Sequence, residues 1–199
     1  RRQRQMCIRD RDKILYFPVS PSCDHLVFGQ KSTVVNYFSP EWVVEGMVRD
    51  HIYSCFKLFA DDAVIMISDV DEIPSKSTIA SSISLLGSEL MVSCGQDLIY
   101  YDLSNKLDFR CLGTIISTVG NLRKYPSIEG LRRERKTFTS VYGGWHLASW
   151  MAPKQIQKKI SSFSHQELNI PEINSEEEIE KKMKSNKDIF GRVLIKIPK

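Results

Sequence analysis

The sequence has no C-x-x-C pair, and its five cysteines, Cys7, Cys23, Cys55, Cys94 and Cys111, are odd in number and widely spaced. That pattern argues against a zinc site and against a thioredoxin-like motif. Cys55 and Cys94 fall in apolar periodic segments, where a thiol packs as a small hydrophobe. Long apolar runs are also missing. Stretches such as Ala63 to Ile67 fall far short of the roughly 18 residues a membrane span needs, so no membrane segment is expected in this chain. There is no internal repeat and no low-complexity linker. The chain opens on Arg1 with no initiator Met, apolar signal core or small-residue cleavage site, and it reads as a fragment that leaves the compartment open.

Charge of one sign is not in large excess. There are 28 Lys and Arg against 24 Asp and Glu, a net charge of +4. The surplus lies partly in Arg1-Arg2-Gln3-Arg4 and Arg132-Arg133-Glu134-Arg135-Lys136. Such a bias suits an anionic ligand without demanding nucleic acid. Against these absences stands a globular composition, 42% hydrophobic and 26% charged over 199 residues, enough for one domain with a core.

Ser39-Pro40-Glu41 predicts a helix start, with Ser as N-cap and Pro at the first helical position. Val44, Val48, Ile52, Cys55 and Phe59 recur at helical spacing, so one amphipathic helix is expected to about Phe59. Ala63 to Ser68 reads as a strand buried on both faces. Ser75 or Ser77 then caps a helix carrying Ile79, Ile83 and Leu86 and ending at Gly87. Strands are expected at about 90–93, 98–103, 109–117, 145–151 and 193–197, and a helix from Pro153 to about Phe163. Ser175 with Glu178 marks a capping box before an exposed helix over 176–184. Helix, buried strand, acidic turn, helix is an α/β order.

The acidic turn is Asp69-Val70-Asp71-Glu72. A lone D-x-D arises by chance on the order of once in a chain this long, and Asp10-Arg11-Asp12, among basic residues, reads as a solvated ion-pair cluster. Asp69 and Asp71 differ by context, because open α/β sheets place ligand crevices at the C-terminal ends of strands. A hard divalent cation binds through one or two carboxylates and completes its shell with water and phosphate oxygens. The plainer alternative is an acidic strand-to-helix turn ending in Pro74. An aspartyl-phosphate phosphatase motif would need Thr or Val where Ile73 stands.

Asp69-Val70-Asp71-Glu72-Ile73-Pro74 resembles the DVDEIP signature of the β-1,4-mannosyl-glycoprotein β-1,4-N-acetylglucosaminyltransferases, glycosyltransferase family 17. The likeness continues in order. It takes in Trp42, Glu45 and Arg49, then Tyr100 to Asn105, Gly113-Thr114 and Gly144-Trp145-His146-Leu147. It ends with Lys159 to Glu167 and Asp188-Ile189-Phe190-Gly191-Arg192. The family's N-terminal section is expected ahead of Arg1, and Phe109 stands where a Trp is expected. The resemblance implies a GT-A-like α/β fold with a mixed central sheet flanked by helices, formed by a single catalytic domain over 1–199 that lacks its N-terminal section. It also implies UDP-N-acetylglucosamine as donor, Mn²⁺ or Mg²⁺ as cofactor, and inverting transfer to a mannose of an N-glycan or related glycan. A eukaryotic member would be lumenal in the Golgi, and a microbial or viral one cytoplasmic.

Inverting transfer needs a base apart from the metal carboxylates. Glu167 and Asp188 are the candidates, with Glu167 first; their plainer readings are a surface residue and a cap. Asp69 and Asp71 are expected at metal and diphosphate, with Glu72 beside the donor. His146 is expected as metal ligand or phosphate donor, and His165 at the donor. Trp145 could stack on a sugar and Arg192 pair with phosphate; for Arg49 a structural salt bridge is favoured. The competing readings are a non-catalytic module that uses a loop at Arg132 to Lys136 to bind acidic glycans or nucleic acid, and an inactive fragment of the enzyme.

Overall fold

The computed structural model describes residues 40–197. The Ser39 cap, Asp10-Arg11-Asp12, Arg1 to Arg4, Cys7 and Cys23 lie outside the described residues. The described chain is α/β, with helices packed against an open, mixed six-stranded sheet. In chain order the elements are α1 (Pro40–Asp50), α2 (Tyr53–Phe56), β1 (Val64–Ile67), β2 (Glu72–Pro74), α3 (Lys76–Leu85), β3 (Met91–Tyr100), β4 (Asn105–Thr118), α4 (Val119–Leu122), α5 (Ile128–Glu134), β5 (Thr139–Ser149), α6 (Pro153–Ser162), α7 (Glu176–Lys184) and β6 (Ile195–Lys196). The sheet order is β1-β4-β3-β5-β2, with β6 against the start of β4. Only the β3–β5 pairing is parallel.

Paired residues share a sheet face, and that face carries two apolar clusters with a gap between them. At the β1 end, Ile67, Met91 and Ile115 pack with Phe56, Ile128 and Leu131 of α2 and α5. At the far end, Leu98 and Tyr100 pack with Ile156 and Ile160 of α6 and with Ile179 of α7. The α6 contact follows from its i, i+4 isoleucines and its Pro153 start. Ser175 accepts from the Glu178 amide and starts α7, as its spacing predicts; the helix is not exposed all round, since Glu176, Glu177, Lys181 and Lys184 face solvent and Ile179 is fully buried.

Several expectations are corrected. The first helix does not run to Phe59. It ends at Asp50, whose Oδ1 accepts from the amides of Ile128 and Glu129 at 2.6 and 3.1 Å and from the Ser127 hydroxyl at 3.1 Å. A carboxylate there satisfies free amides and complements the α5 dipole. The chain restarts as α2 with Phe56 buried, and Val48 and Phe59 are exposed. Strand β1 is not buried on both faces: it is an edge strand with Val64 and Met66 half exposed. Helix α3 is capped by Ser75 as expected, but it turns Thr78 and Ser82 inward and leaves Ile83 exposed. The two strands expected at 90–93 and 98–103 are one strand, β3, with pairing irregularities between Ser93 and Gly95 and between Gly95 and Asp97. Cys55, Cys94 and Cys111 are free thiols, with Cys94 buried.

Candidate functional site

Residues 69–72 close a tight turn at the end of β1. The Glu72 amide donates to the Asp69 carbonyl at 3.0 Å, which leaves Val70 fully exposed at the tip. Asp69 and Asp71 therefore occupy the first and third positions of a β-turn, not one edge of an extended strand. They face different partners.

Asp69 and Glu72 face α5. Arg132 lies inside, 3% exposed. Its Nη2 donates to Asp69 Oδ2 at 2.7 Å and to Glu72 Oε1 at 2.9 Å, and its Nη1 reaches Glu72 Oε2 at 3.4 Å. Glu72 Oε2 also accepts from the Asp69 amide at 3.0 Å. Both Glu72 oxygens are thus spent within the protein, and its side chain is 2% exposed. The expected donor contact from Glu72 gives way to a structural role, in which it braces Arg132 and the turn. Gly113 lies under this pair because a Cβ there would sit 2.7 Å from Glu72 Cδ.

Asp71 faces β5 and α6. Its Oδ2 accepts from Lys159 Nζ at 3.2 Å, and that ammonium also donates to the Ala148 carbonyl at 2.6 Å. Its Oδ1 lies 3.7 Å from His146 Nε2, beyond hydrogen-bond reach. His146 is positioned by its pairing with Glu72 on β2 and Leu98 on β3. The β2–β5 approach requires Gly144, at φ +106°, where a Cβ would stand 2.7 Å from Pro74 Cα and Ser75 N. Burial lowers the His146 pKa, against the pull of Asp71 and Glu72, so the ring is neutral near pH 7. Its Nδ1 is buried without a hydrogen-bond partner among the described residues.

Of these groups Asp69, Glu72, Arg132 and His146 line a cleft of about 430 Å³, and Asp71 and Lys159 are not among its lining residues. Trp42, Glu45 and Arg49 of α1 form one wall and His165 another. Arg49 Nη1 pairs with Glu45 at 2.6 Å and with Glu129 at 2.5 Å, and its Nη2 reaches Asp69 at 3.4 Å. Burial opposes the Arg49 charge, but these carboxylates outweigh it and raise its pKa. The structural salt bridge expected of Arg49 is thus present, and it is also part of the cleft. Arg133 pairs with Glu129 at 2.9 Å and sits over Trp42, 5.3 Å from the ring centroid. Trp42 meets the His165 ring edge-on at 4.6 Å.

The basic cluster is therefore not a loop apart from the acidic turn. It forms the end of α5 and a following 3-10 turn, Arg135–Thr137. Periodicity missed this because the partners are 60 and 63 residues apart. The available signal was Ser127 with a short amphipathic stretch after it, which is the cap and helix observed.

The other expected residues divide. His165 lines the cleft, whereas Glu167 stands behind it, exposed, with Oε1 2.6 Å from His165 Nδ1. The hydrogen bond from His165 holds the Glu167 carboxyl below its ordinary range. Trp145 pairs with Ile73, both half exposed on the face opposite to Glu72 and His146, so the expected sugar-stacking role has no support in the cleft. Asp188 is fully buried: it accepts from the amides of Phe190 and Arg192 at 2.9 and 2.8 Å and from Arg192 Nε at 2.5 Å. Arg192 also donates to the Tyr100 hydroxyl at 3.2 Å. Neither lines the cleft, and together they fasten the 188–192 turn against β3, which corrects their expected roles as base and phosphate ligand.

Among the described residues, no three or more His, Cys, Asp or Glu side chains gather as a metal cluster. Asp71 and His146 present a carboxylate oxygen and an imidazole nitrogen suited to a cation, at 3.7 Å, which is wider than the roughly 3.0 Å between adjacent octahedral ligands held at about 2.1 Å. Asp69, expected as a ligand too, is committed to Arg132 and Arg49. No helix among the described residues is long and apolar enough to cross a membrane. No family model, curated protein or solved structure matches the chain.

Proposed function

We propose that the chain is a catalytic domain of a metal-dependent, inverting glycosyltransferase of GT-A-like fold. Its donor would be UDP-N-acetylglucosamine and its acceptor a mannose of an N-glycan or related glycan. One observation carries the reading. Trp42, Glu45, Arg49, Asp69, Glu72, His146 and His165, scattered across separate blocks of the family-like sequence, converge on one cleft. The remaining blocks have supporting tasks: Gly113 makes room for Glu72, and Asp188 with Arg192 ties β3 to the C-terminal turn.

Asp71 and the neutral His146 are the residues that would hold Mn²⁺ or Mg²⁺. When bound there, such a cation supplies charge stabilisation to a departing diphosphate. Lys159 fixes Asp71 through its second carboxylate oxygen. In the transfer, an acceptor hydroxyl oxygen bonds to the anomeric carbon while the bond from that carbon to the diphosphate breaks on the opposite side. Of the two carboxylates expected as base, Glu167 is the one connected to the cleft, through His165. In this reading His165 Nε2 takes the hydroxyl proton, and Glu167 orients the ring and stabilises the imidazolium.

The test is incubation of the purified protein with UDP-N-acetylglucosamine and a mannose-terminated N-glycan, with Mn²⁺ or with EDTA, and mass spectrometry of the glycan. A gain of one N-acetylhexosamine only with metal supports the reading. An unchanged glycan under both conditions overturns it.

A further inference from the structure

The cleft holds five basic side chains and four carboxylates, and their pairing is uneven. Glu45, Asp69, Glu72 and Glu129 are all taken by Arg49, Arg132 and Arg133. Arg135 and Lys136, on the 3-10 turn that follows α5, line the same cleft and pair with no carboxylate among the described residues. The turn is fastened to the sheet, since Ser93 Oγ donates to the Arg135 carbonyl at 2.7 Å. Beside it, the buried Arg132 carries an Nε without a partner among the described residues.

We infer that Arg135 and Lys136, backed by Arg132, form a clamp for a diphosphate that grips its ligand without any metal. A half-buried guanidinium that pairs with no carboxylate among the described residues can take a phosphate oxygen as its counter-charge, with two parallel N–H donors to offer it. Burial, and next the neighbouring Arg132 charge, lower the Arg135 pKa, which is the signature of a cation short of anions. The position also suits the chemistry, because His146, 3.7 Å from Asp71, lines the same cavity as the clamp. A diphosphate between them would meet cationic charge from the α5 side whether or not a metal lies on the other. The inference deepens the transferase reading but is tested apart from it.

The experiment is calorimetric titration of the whole chain with sodium pyrophosphate, and separately with UDP, in EDTA. Wild type is compared with Arg135→Gln, Lys136→Gln, the double variant and a remote control, Lys184→Gln on α7. Both ligands are expected to bind wild type, with affinity falling as salt rises. Each clamp substitution should weaken binding about tenfold, the size of one charge-assisted contact, and the control should leave it unchanged. Lys136 is exposed, so its variant leaves the buried core untouched. No pyrophosphate binding by wild type in EDTA, unchanged binding by the double variant, or binding of a sulfated glycan but not pyrophosphate would each overturn the clamp. Metal-free binding without sugar transfer would keep the clamp and remove the transferase. Transfer without metal-free binding would do the reverse.

Discussion

Removing Arg132 is the sharpest test of how the site is built. Its guanidinium serves two carboxylates at once, Glu72 and Asp69, and Glu72 is 2% exposed. In Arg132→Met the side-chain volume is largely kept, but Glu72 is left as a buried charge with only the Asp69 amide to satisfy it. Breaking one side of a buried ion pair costs about 3 to 5 kcal/mol, because the surviving charge has lost its compensation and cannot return to water. Native stability is only about 5 to 15 kcal/mol, so the variant should be visibly fragile, with a melting temperature lower by roughly 10 °C. Urea unfolding followed by circular dichroism measures this. The double variant with Glu72→Gln should be less destabilised than the two single variants summed, by about 2 kcal/mol, since the pair is coupled. An Arg132→Met variant within about 0.5 kcal/mol of wild type, or strict additivity, would refute the buried pair.

Asp71→Ala should abolish metal-dependent transfer while changing stability by less than about 1 kcal/mol, because its contact with Lys159 is partly exposed; full activity in the variant would sink its assignment to the cation. Gly144→Ala combines a positive φ with collision against Pro74 and Ser75, so it should destabilise by about 2 kcal/mol or more and separate β2 from β5, seen as faster amide exchange at Glu72 and Pro74's neighbours. For Asp97, burial pushes the carboxyl up, but hydrogen bonds from Arg110 and Lys106 outweigh it and hold the pKa below its ordinary value. The stability this lends is present above pH of about 3.9 and is lost as pH falls through the lower folded value. Asp97→Asn should therefore flatten the decline of the urea midpoint between pH 5 and 2; an unchanged slope would discount the ion pairs.

How much of this was legible in the sequence depended on how local the determining interaction was. The starts of α3, α6 and α7 were readable because Ser75, Pro153 and Ser175 act within their own first turns. The end of α1 was not, since Asp50 is recruited by amides near residue 128. Nor was the exposure of β1, because an apolar run says nothing of whether its strand lies at the centre or the edge of a sheet. Within the site, Asp71 lies 3.7 Å from His146, and Trp42, Arg49 and His165 line one cleft although they come from distant parts of the chain. Trp145 and Asp188 show the limit. One-residue alternation on β5 puts Trp145 and His146 on opposite faces, and no spacing rule distinguishes a buried turn anchor from a reactive carboxylate.

The D-x-D letters suggest two equivalent ligands, and the turn at 69–72 makes them unequal. Because the Glu72 amide closes on the Asp69 carbonyl, Asp69 is delivered toward α5 and Asp71 toward β5 and α6. Asp69 is then neutralised by arginines and serves to hold them in place, while Asp71 meets a neutral histidine across a gap too wide for a hydrogen bond. The acidic and basic clusters, which look like separate features in the sequence, are therefore one electrostatic unit. The acidic turn consumes the charge of Arg49 and Arg132 and leaves that of Arg135 and Lys136 facing the cleft. In the proposed reading a diphosphate complements this unit, because its negative charge would meet Arg135 and Lys136 on the α5 side of the cleft.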